Sequence, residues 1–338
     1  MPHRVSVFIL VCLLALSATV SASAYPWPVK PFHKQHPIRA NFGDPRTVFS
    51  LSFFDGGIEG PGSFAFHNGI DIAAPDGTPV YPVMSGIAHV VSNDEVTVDT
   101  GQGRVFQYFH APPVVAEGEH VTAGKTVLGY IGKSFGHVHL SEIRGSKIWN
   151  PLAKGGIAPY RDKTRPTVAS VEFREYNTLR QLDPLGVCGN VSIVSEAFDK
   201  PPMKVDGSFA YFPVSPALVS WTLRRVGTGE VVAGPVNVAD FRGTLPINPD
   251  FWNVYARGTY QNAPRFGPRQ FGLMPGRFLY NLTPAGLDTR TLPNGVYQAT
   301  VRAADIKGNA GSLTQRFTIV NQATSETGCP RPTTPPRP

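Results

Sequence analysis

An all-β chain is what this sequence predicts, on three observations. Its 338 residues include 34 glycines and 33 prolines, residues that break helices and suit short strands joined by turns. Apolar and polar residues alternate along short runs, most cleanly where Tyr297, Ala299, Val301 and Ala303 interleave with Gln298, Thr300 and Arg302, the period of a half-exposed strand. No amphipathic helical repeat of useful length interrupts them. At about 100–200 residues per domain the length predicts two domains, and 41% hydrophobic with 16% charged residues suits a chain that buries its own cores.

Residues 1–24 read as a secretory signal peptide. Arg4 supplies a positive head, Val5 to Leu16 an apolar run, and Ala22-Ser23-Ala24 a small-residue cleavage pattern before Tyr25. The run is shorter than the roughly 18 residues that a transmembrane helix needs, and no later stretch approaches that length. The expectation is export to a periplasmic or extracellular site, with no transmembrane span. Losing Arg4 takes the formal charge from +7 to +6. A basic exported chain is drawn to anionic walls or membranes rather than to nucleic acid. The cysteines left are Cys188 and Cys329, which in an oxidising compartment suggest one disulfide tying the tail to the second domain.

Residues 25–35, rich in proline and aromatics, read as an extended lead segment with little chemistry. A first domain over 36–152 opens with a strand entering a turn at Gly43 and Pro45. Short strands follow at Thr78 to Val83, Ile87 to Val91, Val96 to Asp99, Val105 to His110, Thr126 to Ile131 and Val138 to Ile143. Glycine-containing turns separate them, as in a compact antiparallel domain. A linker over 153–166 precedes a β-sandwich over 167–322, with strands from Val168, Val191, Val219, Val231, Phe278, Val296 and Leu313. Its final hairpin resembles that of immunoglobulin-like or fibronectin-like sandwiches, a likeness that carries no function by itself. Between Val238 and Gly276 lies an irregular stretch with Trp252, Tyr255, Arg257, Tyr260, Arg265, Phe266, Arg269 and Phe271. It reads first as a packed excursion and second as a sugar- or wall-binding surface. Residues 323–338 form a Thr/Pro-rich tail.

The chemistry concentrates between His67 and Leu140. Hydrolytic zinc takes three nitrogen or oxygen ligands and keeps a position for water, whose pKa it lowers to about 7. His67, Asp71 and His139 can supply that set. Residues four apart in an extended segment share a face, as do the two-apart His137 and His139, of which one can bind metal while the other stands beside it. His110, at the end of its strand, can reach the same cleft, and two free imidazoles can move a proton and stabilise an oxyanion. Each fragment alone is common. Their joint occurrence in one small domain is not. His89 and His120 read as surface residues, and His33 and His36 precede the domain.

Together, Asn41-Phe42-Gly43, His67-Asn-Gly-Ile-Asp71, Pro75-Asp-Gly77-Thr-Pro79-Val80, Tyr108-Phe109-His110, Gly118-Glu-His-Val121 and Gly136-His137-Val-His139-Leu140 resemble the lysostaphin/LytM-type zinc metallopeptidases. Those enzymes cleave peptide cross-links of bacterial peptidoglycan. The resemblance implies zinc as cofactor, His67, Asp71 and His139 as its ligands, and His110 and His137 as catalytic non-ligand histidines. It implies an exported metalloendopeptidase acting on peptidoglycan peptides, with wall or protein contact through the sandwich. Rival readings are a non-catalytic relative that binds wall or activates a hydrolase, a peptidase of Gly-rich proteins, and a β-sandwich adhesin in which these residues coincide. Two departures stand out. Serine at 141 replaces the family's usual glutamate, and Ser92 to Arg104 lacks the usual Tyr-Gly-Asn lead-in; both are read as bearing on substrate fit.

Overall fold

The computed structural model describes residues 24–46, 64–261 and 275–321. The predicted signal peptide up to Ser23, Cys329, the tail, and Arg265, Phe266, Arg269 and Phe271 lie outside the described residues.

The first unit is built from β1 (Ile38–Ala40), β2 (Pro45–Arg46), β3 (Ala65–Phe66), β4 (Ile70–Ala73), β5 (Pro79–Val80), β6 (Gly86–Val90) and β7 (Glu95–Asp99). It continues with β8 (Arg104–Phe109), β9 (His120–Val121), β10 (Gly129–Tyr130), β11 (His137–Arg144) and β12 (Lys147–Trp149). Seven of these run in the order β1-β4-β11-β8-β7-β6-β9, and β12 pairs with β11. Every pairing is antiparallel. The predicted strands are present with shifted ends: those at Thr78 and Thr126 shrink to β5 and β10, and the one ending at His110 stops at Phe109. His110 itself leaves the strand with φ 65°, which turns its ring away from the ladder.

Alternation decides which side chains meet. On β4 and β11, Ile70, Ile72, Val138 and Leu140 are fully buried in the apolar core, which leaves Asp71, His137, His139 and Ser141 on the opposite face. Register then brings Asp71 of β4 and Phe109 of β8 to either side of His139.

The second unit holds β13 (Thr167–Glu175), β14 (Asn190–Phe198), β15 (Leu218–Arg225), β16 (Val231–Asp240), β17 (Leu279–Asn281), β18 (Leu287–Asp288), β19 (Gly295–Ala304) and β20 (Ala310–Ile319). They form two four-stranded antiparallel sheets. Phe173 and Phe317, with ring centroids 4.4 Å apart, join them through a shared core. Cys188 is buried and disulfide-bonded.

One expectation changes and another holds. The lead segment is a structural part of the first unit: Tyr25, Trp27 and Val29 are buried, the Tyr25 hydroxyl donates to Glu142 Oε2 (2.9 Å), and Trp27 Nε1 donates to the Pro159 carbonyl (2.9 Å). The described part of the irregular stretch after Val238 packs, as its first reading has it. Phe251 and Tyr255 are buried between the two units, so those rings present no face to a sugar. Tyr255 donates its hydroxyl to the Gly43 carbonyl (2.7 Å), and Ser215 N donates to Asp44 Oδ1 (2.6 Å). Gly43 is required there, since a Cβ would stand 2.4 Å from the Phe241 ring. The two units therefore share one apolar core.

Candidate metal and catalytic site

Three electron-pair donors converge at the seam of β4 and β11. His67 Nε2 lies 2.8 Å from His139 Nδ1, and Asp71 Oδ1 lies 3.0 Å from each. Ligand atoms about 2.0–2.2 Å from a common tetrahedral centre are themselves roughly 3.3 Å apart, so a small shift would let these three hold one zinc-sized ion. All three residues are buried, and together they form a group that can hold a metal.

The outer atoms orient the inner ones. His67 Nδ1 meets the Asn41 carbonyl at 2.7 Å. That oxygen only accepts, so the ring proton sits on Nδ1 and Nε2 keeps its lone pair. His139 Nε2 lies 2.8 Å from Ser141 Oγ, which can accept its proton and leave Nδ1 bare as well. Asp71 Oδ2 accepts from Arg46 Nη2 at 3.0 Å, leaving Oδ1 to face the histidines. Bare nitrogens turned toward a carboxylate oxygen repel one another unless a cation stands among them. The donor set thus fits a divalent metal.

Electrostatics agree with that arrangement. Burial, with Arg46 adding to it, lowers His67 to a pKa of about 3. Burial would raise Asp71, but His67, His137 and Arg46 outweigh it and hold the carboxyl well below its usual range. Neutral imidazole and ionised carboxylate are the forms that ligate metal.

His110 and His137 sit beside this group, with ring centroids 4.6 Å apart. His137 Nδ1 donates to the Phe135 carbonyl (2.8 Å), which leaves Nε2 unprotonated, 3.7 Å from Asp71 Oδ1. Burial lowers His137 to about 4. The His110 ring stacks on Phe135 at 4.2 Å. Its Nδ1 is 3.8 Å from Asp94 Oδ2, beyond hydrogen-bond reach, and burial lowers its pKa too. All five residues singled out in the sequence therefore come together on the wall of one cleft of about 1320 Å³.

Sequence reasoning missed several neighbours. Ser141 Oγ meets His139 Nε2, a contact that the reading of that serine as a matter of substrate fit did not anticipate. Arg39 and Arg46 line the same cleft, as do Thr244 to Asp250 of the second unit. Among the described residues, Arg46 Nη1 is buried without a hydrogen-bond partner. The period of β11 could have found Ser141, two residues beyond His139 on the same face. No local signal reaches from residue 244 to residue 67. Of the other histidines, His89 pairs with Glu117 at 2.7 Å on the surface and His120 is exposed, as expected.

Residues 65–151 match peptidase family M23. The fold is similar to one in the SpoIIQ–SpoIIIAH pore-forming complex, at 20% identity over 39% of this chain and 90% of that one, with a TM-score of 0.29. It is similar to the catalytic domain of the prophage-encoded M23 protein EnpA from Enterococcus faecalis (24% identity, 34% and 85% covered, TM-score 0.25). It is also similar to the catalytic domain of the antimicrobial peptidase lysostaphin from Staphylococcus simulans (21% identity, 33% and 86% covered, TM-score 0.25). No curated protein matches the sequence. Residues 65–151 are thus a domain of peptidase family M23, in the stretch where the sequence motifs lie.

Proposed function

We propose that this protein is an exported zinc metalloendopeptidase that hydrolyses peptide bonds in the cross-links of peptidoglycan. The observation that carries the reading is the convergence of His67 Nε2, Asp71 Oδ1 and His139 Nδ1 within 2.8–3.0 Å of one another, with two unligated imidazoles alongside. These three residues would hold the zinc. When bound, zinc supplies a Lewis acid for the scissile carbonyl and an activated water.

The chain's own groups do the rest. Asn41, Ser141 and Arg46 fix the faces that the three ligands present. His137, neutral at physiological pH and with Nε2 open to the cleft, takes a proton there. His110 faces the developing oxyanion, with Asp94 3.8 Å behind Nδ1 to balance the charge it acquires. Asp71 in place of a third imidazole lowers the net charge of the site. The basic mature chain, +6 once Arg4 is removed, suits an anionic wall. Among the described residues no helix is long and apolar enough to cross a membrane.

The test measures zinc content and hydrolysis of purified peptidoglycan by wild type, His139→Ala and His110→Ala. Wild type should bind about one zinc and release new amino groups. His139→Ala should lose the metal, and His110→Ala should keep the metal while losing activity. A wild type that binds zinc but cuts neither peptidoglycan nor Gly-rich peptides would overturn the enzymatic reading in favour of a binding or activating role.

A further inference from the structure

Part of the catalytic cleft is lined by the second unit. Thr244 to Asp250 follow β16 and face the same space as the five site residues. This loop is anchored at several points. Asn150 N donates to the Gly243 carbonyl (2.7 Å), Thr244 bridges to Trp149, and Asp250 N closes on the Ile247 carbonyl (2.9 Å). Asn248 Oδ1 accepts from Phe66 N (3.2 Å), one residue before His67. Just beyond, Phe251 and Trp252 pack on Phe64, with ring centroids 5.4 and 4.7 Å away. Yet Ile247, at the tip, is 67% exposed. An isoleucine held in water on a fixed loop at the edge of a polar cleft has the character of a binding contact, since pockets combine apolar surface with a few placed charges.

The charges in the cleft indicate the occupant. Arg46 and Asp71 pair with each other at 3.0 Å, which leaves Arg39 and Lys147 against Asp250 and a net positive lining. A peptide with small apolar side chains and free carboxylates complements that lining.

We propose that the loop Thr244 to Asp250 is the specificity wall of the peptidase, with Ile247 taking a small apolar side chain of a carboxylate-bearing peptide substrate. The inference rests on the peptidase reading above. It gives the second unit a part in selecting the bond to be cut, in addition to any contact with the wall.

The experiment uses the full zinc-loaded chain and cross-linked fragments released from purified peptidoglycan by a muramidase. Fragment binding and fragment cleavage are measured for wild type, Ile247→Ala, Ile247→Asp and Val296→Asp. Val296 is 41% exposed on β19 and does not line the cleft, so it reports any general effect of a surface charge. Ile247→Asp should raise both KM and Kd at least about fivefold, with kcat and zinc content within about twofold of wild type; Ile247→Ala should move them less, in the same direction, and Val296→Asp not at all. KM and Kd within about twofold of wild type in both Ile247 variants would overturn the specificity wall and leave the peptidase reading intact. If fragments bind but are not cut, the peptidase reading falls and the Kd series alone decides the wall. If they neither bind nor are cut, both fall.

Discussion

Replacing Ser141 by alanine should weaken zinc binding while leaving the ligands in place. Ser141 is fully buried on β11, and its Oγ lies 2.8 Å from His139 Nε2. In the wild type the hydroxyl draws the ring proton to Nε2 and frees Nδ1 for metal. Without it, the proton moves to Nδ1, where Asp71 Oδ1 at 3.0 Å accepts it, and zinc must displace that proton to bind. Loss of an outer partner of a ligating histidine typically costs about 10–100-fold in metal affinity, or roughly 1.4–2.7 kcal/mol. The assay is a chelator-competition titration of zinc, paired with urea unfolding of the metal-free chain. Ser195→Ala is the control. That serine is equally buried in the second unit, where its hydroxyl donates to the Ser170 carbonyl (2.9 Å), so its loss should cost about 1 kcal/mol of stability and leave zinc affinity unchanged. A Ser141→Ala affinity within twofold of wild type, about 0.4 kcal/mol, would refute the assignment of the tautomer to this serine.

Gly69→Ala should cost at least about 2 kcal/mol in urea unfolding and deplete bound zinc, because the new Cβ would stand 2.3 Å from the Leu140 carbonyl oxygen and 2.7 Å from His139 Nε2. Tyr255→Phe removes a hydroxyl that donates to the Gly43 carbonyl (2.7 Å) and meets Ser215 Oγ (2.9 Å); about 1–3 kcal/mol of stability should be lost, read as an earlier urea midpoint with the slope kept. Asp199 is buried, and that burial, with Asp162 and Asp305 nearby, raises its pKa to about 8. Its folded pKa lies above its unfolded one, so the native state holds the extra proton and stability falls as pH rises from about 4 to about 8; Asp199→Asn should flatten that loss, and its advantage over wild type, a few kcal/mol, should be greatest above pH 8 in unfolding curves taken across the window.

How much was legible from sequence follows the range of the interactions involved. Strands announced themselves because alternation is local: Val138 and Leu140 go to the core, which forces His137 and His139 to the other face. Asp71 was legible for the same reason, but His67 lies between β3 and β4, outside any strand, so a shared strand face four residues apart is not what brings it to Asp71. Strand ends were less legible: His110 sits one residue past β8 with φ 65°, a backbone turn that alternation does not announce. The lead segment misled, since proline-rich composition says nothing of a tyrosine hydroxyl reaching Glu142 across 117 positions of sequence. Neither does the sequence around Tyr255 reveal that it bonds a carbonyl 212 positions earlier.

That last contact bears on how the site is held. His67 Nδ1 donates to the Asn41 carbonyl, and Asn41 N donates to Asp44 Oδ2. Asp44 Oδ1 in turn accepts from Ser215 N, and Tyr255 bonds Gly43 in the same turn. A chain of hydrogen bonds thus runs from the His67 ring of the first unit into the body of the second. The turn from Asn41 to Arg46 also delivers Arg46 to Asp71 Oδ2, so one short segment orients two of the three donors at once. The second unit thus supports the donors from behind through this segment, in addition to lining the cleft in front of them.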